Sequence, residues 1–229
     1  MNNPQTTPAL LPCVEVEWAE TSTHAVIWMH GLGADGHDFE PVVREFDKRK
    51  FPAVRFVFPH APTRPVTINN GYAMPAWYDL VSLDFNQRRE DPAGVAESAR
   101  QIEALIAREN ARGIPDEKIV LAGFSQGGAI ALYTALRHRK TLAGILALST
   151  YLPLADTLAA EASDANREIP IFMAHGHDDG VIPYGFAQQS AEFMQDQGYA
   201  LEWHDYPMEH TLTMDEIRDI ETWLVGVLV

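Results

Sequence analysis

The segment Gly123-Phe124-Ser125-Gln126-Gly127 follows the apolar run Ile119-Val120-Leu121-Ala122 and precedes Ala129-Ile130-Ala131-Leu132-Tyr133. No other feature constrains the fold as much. The order reads as a strand, a sharp turn carrying a serine, and a helix, which is the setting of a nucleophile elbow. A serine at the apex of such a turn has a strained backbone. The flanking strand and helix pass so close that side chains two residues to either side would collide, and glycine removes the collision. The strain lifts the hydroxyl out of the sheet and into reach of a substrate.

The rest of the chain supplies a sheet for this turn. Residues 14–18 alternate like an edge strand, and 25–29 and 54–58 read as interior strands with a helix over 39–50 between them. Asp91-Pro92 combines an N-cap with a first-turn proline. Val95, Ala99, Ile102 and Ile106 then share one helical face until Gly113. Strands over 118–122, 144–148, 169–174 and 201–206 are separated by the elbow helix, a further helical stretch and a helix over 185–197, and a last helix runs to Val229. Such alternation predicts a mostly parallel sheet covered by helices on both faces. With 229 residues, 46% of them hydrophobic, and no linker-like break, a single domain over 1–229 with a large core is expected.

Residues 59–90 are the one long stretch without periodicity, and they carry Met74, Trp77, Tyr78, Leu80, Val81, Leu83 and Phe85 among prolines at 59, 62, 65 and 75. A loop this apolar and this stiff is expected to be irregular and to border a substrate at the sheet edge; the competing reading is a flap that only covers core.

The net charge of −15 repels nucleic acid and anionic membrane surfaces, so neither is expected as a partner. Cys13 is the single cysteine, which excludes an intramolecular disulfide and favours a reducing compartment. Neither a signal-peptide pattern nor a membrane-spanning apolar run is present, so no membrane insertion and a cytoplasmic location are expected.

Where a fold presents serine on such an elbow, the chain order is serine, then acid, then histidine. Two histidines follow the acidic candidates. His204 lies within the strand over 201–206, whereas His210 lies in a loop just before the last helix, which the capping box Thr213-Met214-Asp215-Glu216 starts. Loop placement favours His210 as the base. The acid should follow the strand ending at Ala174, and His175-Gly176-His177-Asp178-Asp179-Gly180 follows it directly. Asp178 and Asp179 are equal candidates on this evidence. Their cluster with His175 and His177 has a rival reading as a set of metal ligands, although a serine triad already accounts for the elbow. For the oxyanion, Gln126 offers a backbone N–H at a helix N-terminus, and His30-Gly31-Leu32-Gly33-Ala34-Asp35-Gly36 offers the second donor at Leu32, whose side chain would line the acyl pocket.

Five ordered segments, HGLGADG at 30–36, FPHAPTRPVTINNGYAMPAWYD at 58–79, GFSQGG at 123–128, HGHDDGVIP at 175–183 and YPMEHT at 206–211, together resemble the carboxylesterase, lysophospholipase and acyl-protein thioesterase family of small α/β-hydrolases. The likeness spans nearly the whole chain from about residue 10 and is nearer to the bacterial carboxylesterases. It implies an α/β-hydrolase fold without a large cap domain, with Ser125 as nucleophile, Asp179 as the acid, His210 as base, and Leu32 and Gln126 as oxyanion donors. It also implies substrate contacts from Leu32, Met74 and Trp77, with Trp77 close to the serine. Glu209 departs from the glycine that often precedes the histidine, and its carboxylate faces either the imidazole or solvent. The activity implied is cleavage of carboxylic esters of short to medium acyl chains through an acyl-enzyme, with no cofactor and no metal. Thioester or lysophospholipid hydrolysis is the alternative within the class, and a binding protein that has lost the chemistry is the alternative outside it. A homodimer is compatible with the apolar residues near the substrate loop.

Overall fold

A computed structural model describes residues 10–82 and 90–229. Leu83 and Phe85 of the apolar loop, and residues 1–9, lie outside the described residues. The strands are β1 (Cys13–Glu17), β2 (His24–Met29), β3 (Val54–Pro59), β4 (Thr63–Val66), β5 (Tyr72–Pro75), β6 (Ile119–Phe124), β7 (Gly144–Leu148), β8 (Ile171–Gly176) and β9 (Leu201–Tyr206). The α-helices are α1 (Pro92–Ala111), α2 (Gln126–Arg137), α3 (Ala155–Glu161), α4 (Tyr184–Asp196) and α5 (Met214–Leu228).

Seven strands form the main sheet in the order β1-β3-β2-β6-β7-β8-β9, with β1 antiparallel at one edge and every other pairing parallel. The interior strands are apolar at nearly every position because both faces are covered. On β2, Ala25, Ile27 and Met29 join one core with α1, α2 and α4, whereas Val26 and Trp28 join a second core with α5. From β2 the chain crosses to β3 on one side, and β6 pairs with β2 on the other. The crevice at this reversal is where open α/β sheets bind ligands, outside the carboxyl ends of the strands.

Local signals set the helix ends. Asp91 caps α1 by accepting the Gly94 N–H at 2.9 Å, and Thr213 caps α5 by accepting the Glu216 N–H at 3.3 Å. The helix expected over 39–50 is instead two short 3-10 turns, Val42–Arg44 and Lys48–Lys50. Phe39, Val43 and Phe46 have helical spacing and do pack against the second core. Asp47 then turns extended, and its side chain accepts the Arg49 N–H, diverting that donor from a continuing helical ladder.

The stretch over 59–90 is more regular than expected. β4 and β5 form an antiparallel hairpin in register Thr63↔Pro75 to Val66↔Tyr72. Pro65 and Pro75 disguise these strands in the sequence, and a two-stranded hairpin, all edge, tolerates them. Among the described residues no helix is long and apolar enough to cross a membrane.

Candidate active site

The site is built around Ser125, between the end of β6 and the start of α2. Its φ of 55° and ψ of −121° lie outside the regions that non-glycine residues ordinarily adopt. Neighbouring strands hold this conformation. The Ser125 N–H donates to the Leu148 carbonyl at 2.8 Å, and the Ser125 carbonyl accepts from Thr150 Oγ1 at 2.6 Å and from the Ala129 N–H at 3.1 Å. A Cβ on Gly123 would stand 2.3 Å from the Gly127 carbonyl carbon, and one on Gly127 would stand 2.3 Å from the Met29 carbonyl oxygen. The elbow therefore closes only with glycine at both positions.

Asp179 follows β8 and is buried. Its Oδ1 accepts the Val181 and Ile182 N–H groups at 2.8 Å each, and its Oδ2 accepts His210 Nδ1–H at 2.7 Å. His175 is fully buried and shares its Nε2–H between the Ile182 carbonyl at 2.9 Å and Asp179 Oδ2 at 3.2 Å. Burial disfavours the Asp179 carboxylate. Hydrogen bonds from His175, His210 and the Ile182 N–H outweigh it and hold the carboxyl well below the usual carboxylate range.

The neighbours of this pair turn elsewhere. Asp178 is exposed, and His177 faces Asp205 at 3.2 Å. His175 and Asp179 meet in the interior, whereas His177 and Asp178 face outward, so the four side chains suggested as metal ligands do not converge on one point. The ring of His210 lies 4.7 Å from that of Phe124, the residue before the serine, whereas His204 stacks on Phe172 at 4.3 Å. Glu209 is exposed.

Leu32 sits on the loop after β2. This loop abuts the elbow, since a Cβ on Gly31 would stand 3.4 Å from the Ser125 Cβ. His30 pins the loop from beneath. Its Nε2 accepts the Ala61 N–H at 3.0 Å, so Nδ1 carries the proton and donates to the Gly31 carbonyl at 2.7 Å. Burial lowers the His30 pKa and keeps this ring neutral. Gln126 is the first residue of α2, where the backbone N–H has no acceptor within its own helix.

Ser125, Leu32 and Gln126 line a cavity of about 60 Å³, walled otherwise by Tyr78, Leu80, Tyr151, Val181 and Ile182 among the described residues. A groove of about 520 Å³ between β9 and α5, lined by His204 and Trp223, is far larger but lies at the other end of β8 from Asp179. The strained serine, rather than volume, marks the site.

Two of the residues expected to contact substrate lie off this cavity. Trp77 is fully buried and absent from the cavity wall; Tyr78 takes that place. The indole N–H needs an acceptor once buried and finds the His30 carbonyl at 2.8 Å, while the Trp77 backbone N–H donates to Gln126 Oε1 at 2.8 Å. The Trp77 carbonyl accepts from Ser98 Oγ, and Gln126 Nε2 donates to the Tyr78 carbonyl at 2.8 Å. Met74 is half-buried on β5, with its sulfur 3.3 Å from Asn69 Nδ2, and it does not line the cavity either. The clamp made by the Gln126 side chain escaped sequence reasoning, which had assigned Gln126 only a backbone role.

The model of the Phospholipase/Carboxylesterase family matches residues 12–228. The chain belongs to this family. An acyl-protein thioesterase 1 of Cryptococcus neoformans is 38% identical over 237 residues, covering 96% of this chain and 99% of its own. A probable carboxylesterase of Oryza sativa is 34% identical, covering 94% and 82%. The crystal structure of Zea mays acyl-protein thioesterase 2 superposes with a TM-score of 0.85 at 28% identity, covering 95% of this chain and 99% of the maize chain. The protein is thus a serine hydrolase on the α/β-hydrolase fold.

In this hydrolase Trp77 ties the loop carrying Leu32 to the elbow helix. Trp77→Phe leaves the His30 carbonyl without its buried donor, a loss of about 1–3 kcal/mol. The expected result is a drop in kcat of roughly tenfold that is the same for acetate, butyrate and octanoate esters. A penalty that grows with chain length would return Trp77 to the acyl pocket.

Proposed function

We propose that the chain is a carboxylesterase working through a Ser125–His210–Asp179 triad. In this reading Asp179 fixes the Nδ1–H tautomer of His210, which leaves Nε2 as the basic site. His210 takes the Ser125 proton as Oγ attacks the ester carbonyl, and the backbone N–H groups of Leu32 and Gln126 receive the oxyanion. The protonated His210 then gives its proton to the leaving alcohol. The acyl group remains on Ser125 until water, deprotonated by the same ring, releases the acid.

The observation that carries this reading is the 2.7 Å hydrogen bond from His210 to a buried Asp179 carboxylate beside a serine on a strained elbow. A second reading, thioester hydrolysis, rests on the likeness to chains named acyl-protein thioesterase. The same machinery attacks both acyl carbonyls.

The test is labelling by a fluorophosphonate probe with the modified residue located by peptide mapping. It runs beside turnover of a p-nitrophenyl ester, a palmitoyl thioester and a lysophospholipid. Labelling at Ser125 with ester turnover is expected. No labelling and no turnover would favour a binding protein on this fold, and thioester turnover far above that of any ester would favour the second reading.

A further inference from the structure

Two buried tyrosines line the cavity beside Ser125. Tyr78 and Tyr151 are only 3% and 5% exposed, whereas Val181, on the same cavity, is 43% exposed, so Val181 stands on the solvent side and the tyrosines form part of the buried wall. Their hydroxyl oxygens lie 2.6 Å apart. Tyr78 follows β5 and Tyr151 follows β7, so this hydrogen bond joins segments from different parts of the chain. The ring of Phe186, on α4, packs edge-on against Tyr151 at 5.4 Å.

We infer that the Tyr78–Tyr151 pair is the specificity-determining wall of the acyl pocket and restricts this hydrolase to acyl chains of a few carbons. The inference rests on the functional reading above, because it takes the cavity at Ser125 to be where the acyl group sits. A cavity of about 60 Å³ with largely apolar walls holds only a short chain. Each methylene buried there adds about fourfold to kcat/KM. A longer chain must part the two hydroxyls within apolar surroundings and push Tyr151 against Phe186, which combines a broken buried hydrogen bond with overpacking. The balance therefore reverses once the chain reaches the tyrosines.

The experiment measures kcat/KM for p-nitrophenyl acetate, butyrate, octanoate and decanoate with the wild-type chain, Tyr151→Ala, Tyr78→Phe and Tyr151→Phe, each checked by fluorophosphonate labelling of Ser125. For the wild type, kcat/KM should rise from acetate to butyrate and fall at least tenfold at octanoate. Tyr151→Ala should raise the octanoate-to-butyrate ratio at least tenfold, and each phenylalanine variant should move it in the same direction by less. If Tyr151→Ala is not labelled, the phenylalanine variants, which lose only one oxygen each, decide the matter. A labelled wild type that hydrolyses octanoate as well as butyrate, or variants that leave the ratio unchanged, would overturn the inference and leave the triad standing. A wild type that is neither labelled nor active would remove the functional reading itself.

Discussion

Ser125→Ala, His210→Ala and the double variant are expected to lower kcat for p-nitrophenyl butyrate by about 10⁴-fold or more, and all three by nearly the same factor. The reason is that a nucleophile and its base act as one unit, so removing the second loses little that the first had not already lost. Asp179→Asn should fall in the same range, because an amide facing His210 Nδ1 favours the wrong tautomer. Asp178→Asn should stay within about twofold, since Asp178 is exposed and the substitution keeps the bond from its backbone N–H to the Met208 carbonyl at 3.1 Å. Thermal unfolding of each variant, measured in parallel, separates chemistry from folding. A double variant much slower than either single one would show that Ser125 and His210 act independently.

The second large effect lies away from the chemistry, at Glu216 in the first turn of α5. This side chain is fully buried. Burial pushes its carboxyl up to about 8, opposed by the Thr213 backbone N–H and reinforced by the Asp219 charge. An unfolded glutamate titrates near 4.3, so between roughly pH 4.3 and 8 the native state binds a proton that the unfolded chain has released. Stability contributed by the protonated form is complete below that window. It declines through it at about 1.4 kcal/mol per pH unit. Glu216→Gln removes the titration. Its Tm should match the wild type near pH 4.5 and exceed it by roughly 10 °C near pH 8, the equivalent of several kcal/mol for a chain of this size. Melting curves for the two proteins that stay parallel from pH 4.5 to 8 would show that Glu216 ionises in place at no cost.

Much of this architecture was legible because burial leaves a plain trace. A strand covered on both faces must be apolar at consecutive positions, and β2, β6, β7 and β8 read that way. The same logic misled over 39–50: Phe39, Val43 and Phe46 have helical spacing because they face one core, and two 3-10 turns present them as well as a helix would. Within the site, the serine and the loop histidine stood out by their setting in the chain. The acid did not. Asp178 and Asp179 differ by a turn in which Asp179 Oδ1 collects the Val181 and Ile182 N–H groups, and only the family resemblance pointed to Asp179. Trp77 and Tyr78 pose the same difficulty. Adjacent aromatic residues in an irregular segment face different ways, and here the one with an N–H to satisfy turned inward while its neighbour took the cavity wall.

The order in which the sheet is laid down bears on the life of the chain during synthesis. Domains begin to organise from the N-terminal side as they emerge from the ribosome. The elbow makes its close backbone contacts with β2 and β7, whereas the imidazole that faces Asp179 lies on the loop after β9, later in the chain than any of these strands. A nascent chain can thus present a complete elbow with no base beside it. On the triad proposed above, that serine is inert toward esters until the loop after β9 has emerged, and a product cut short before that loop is inactive.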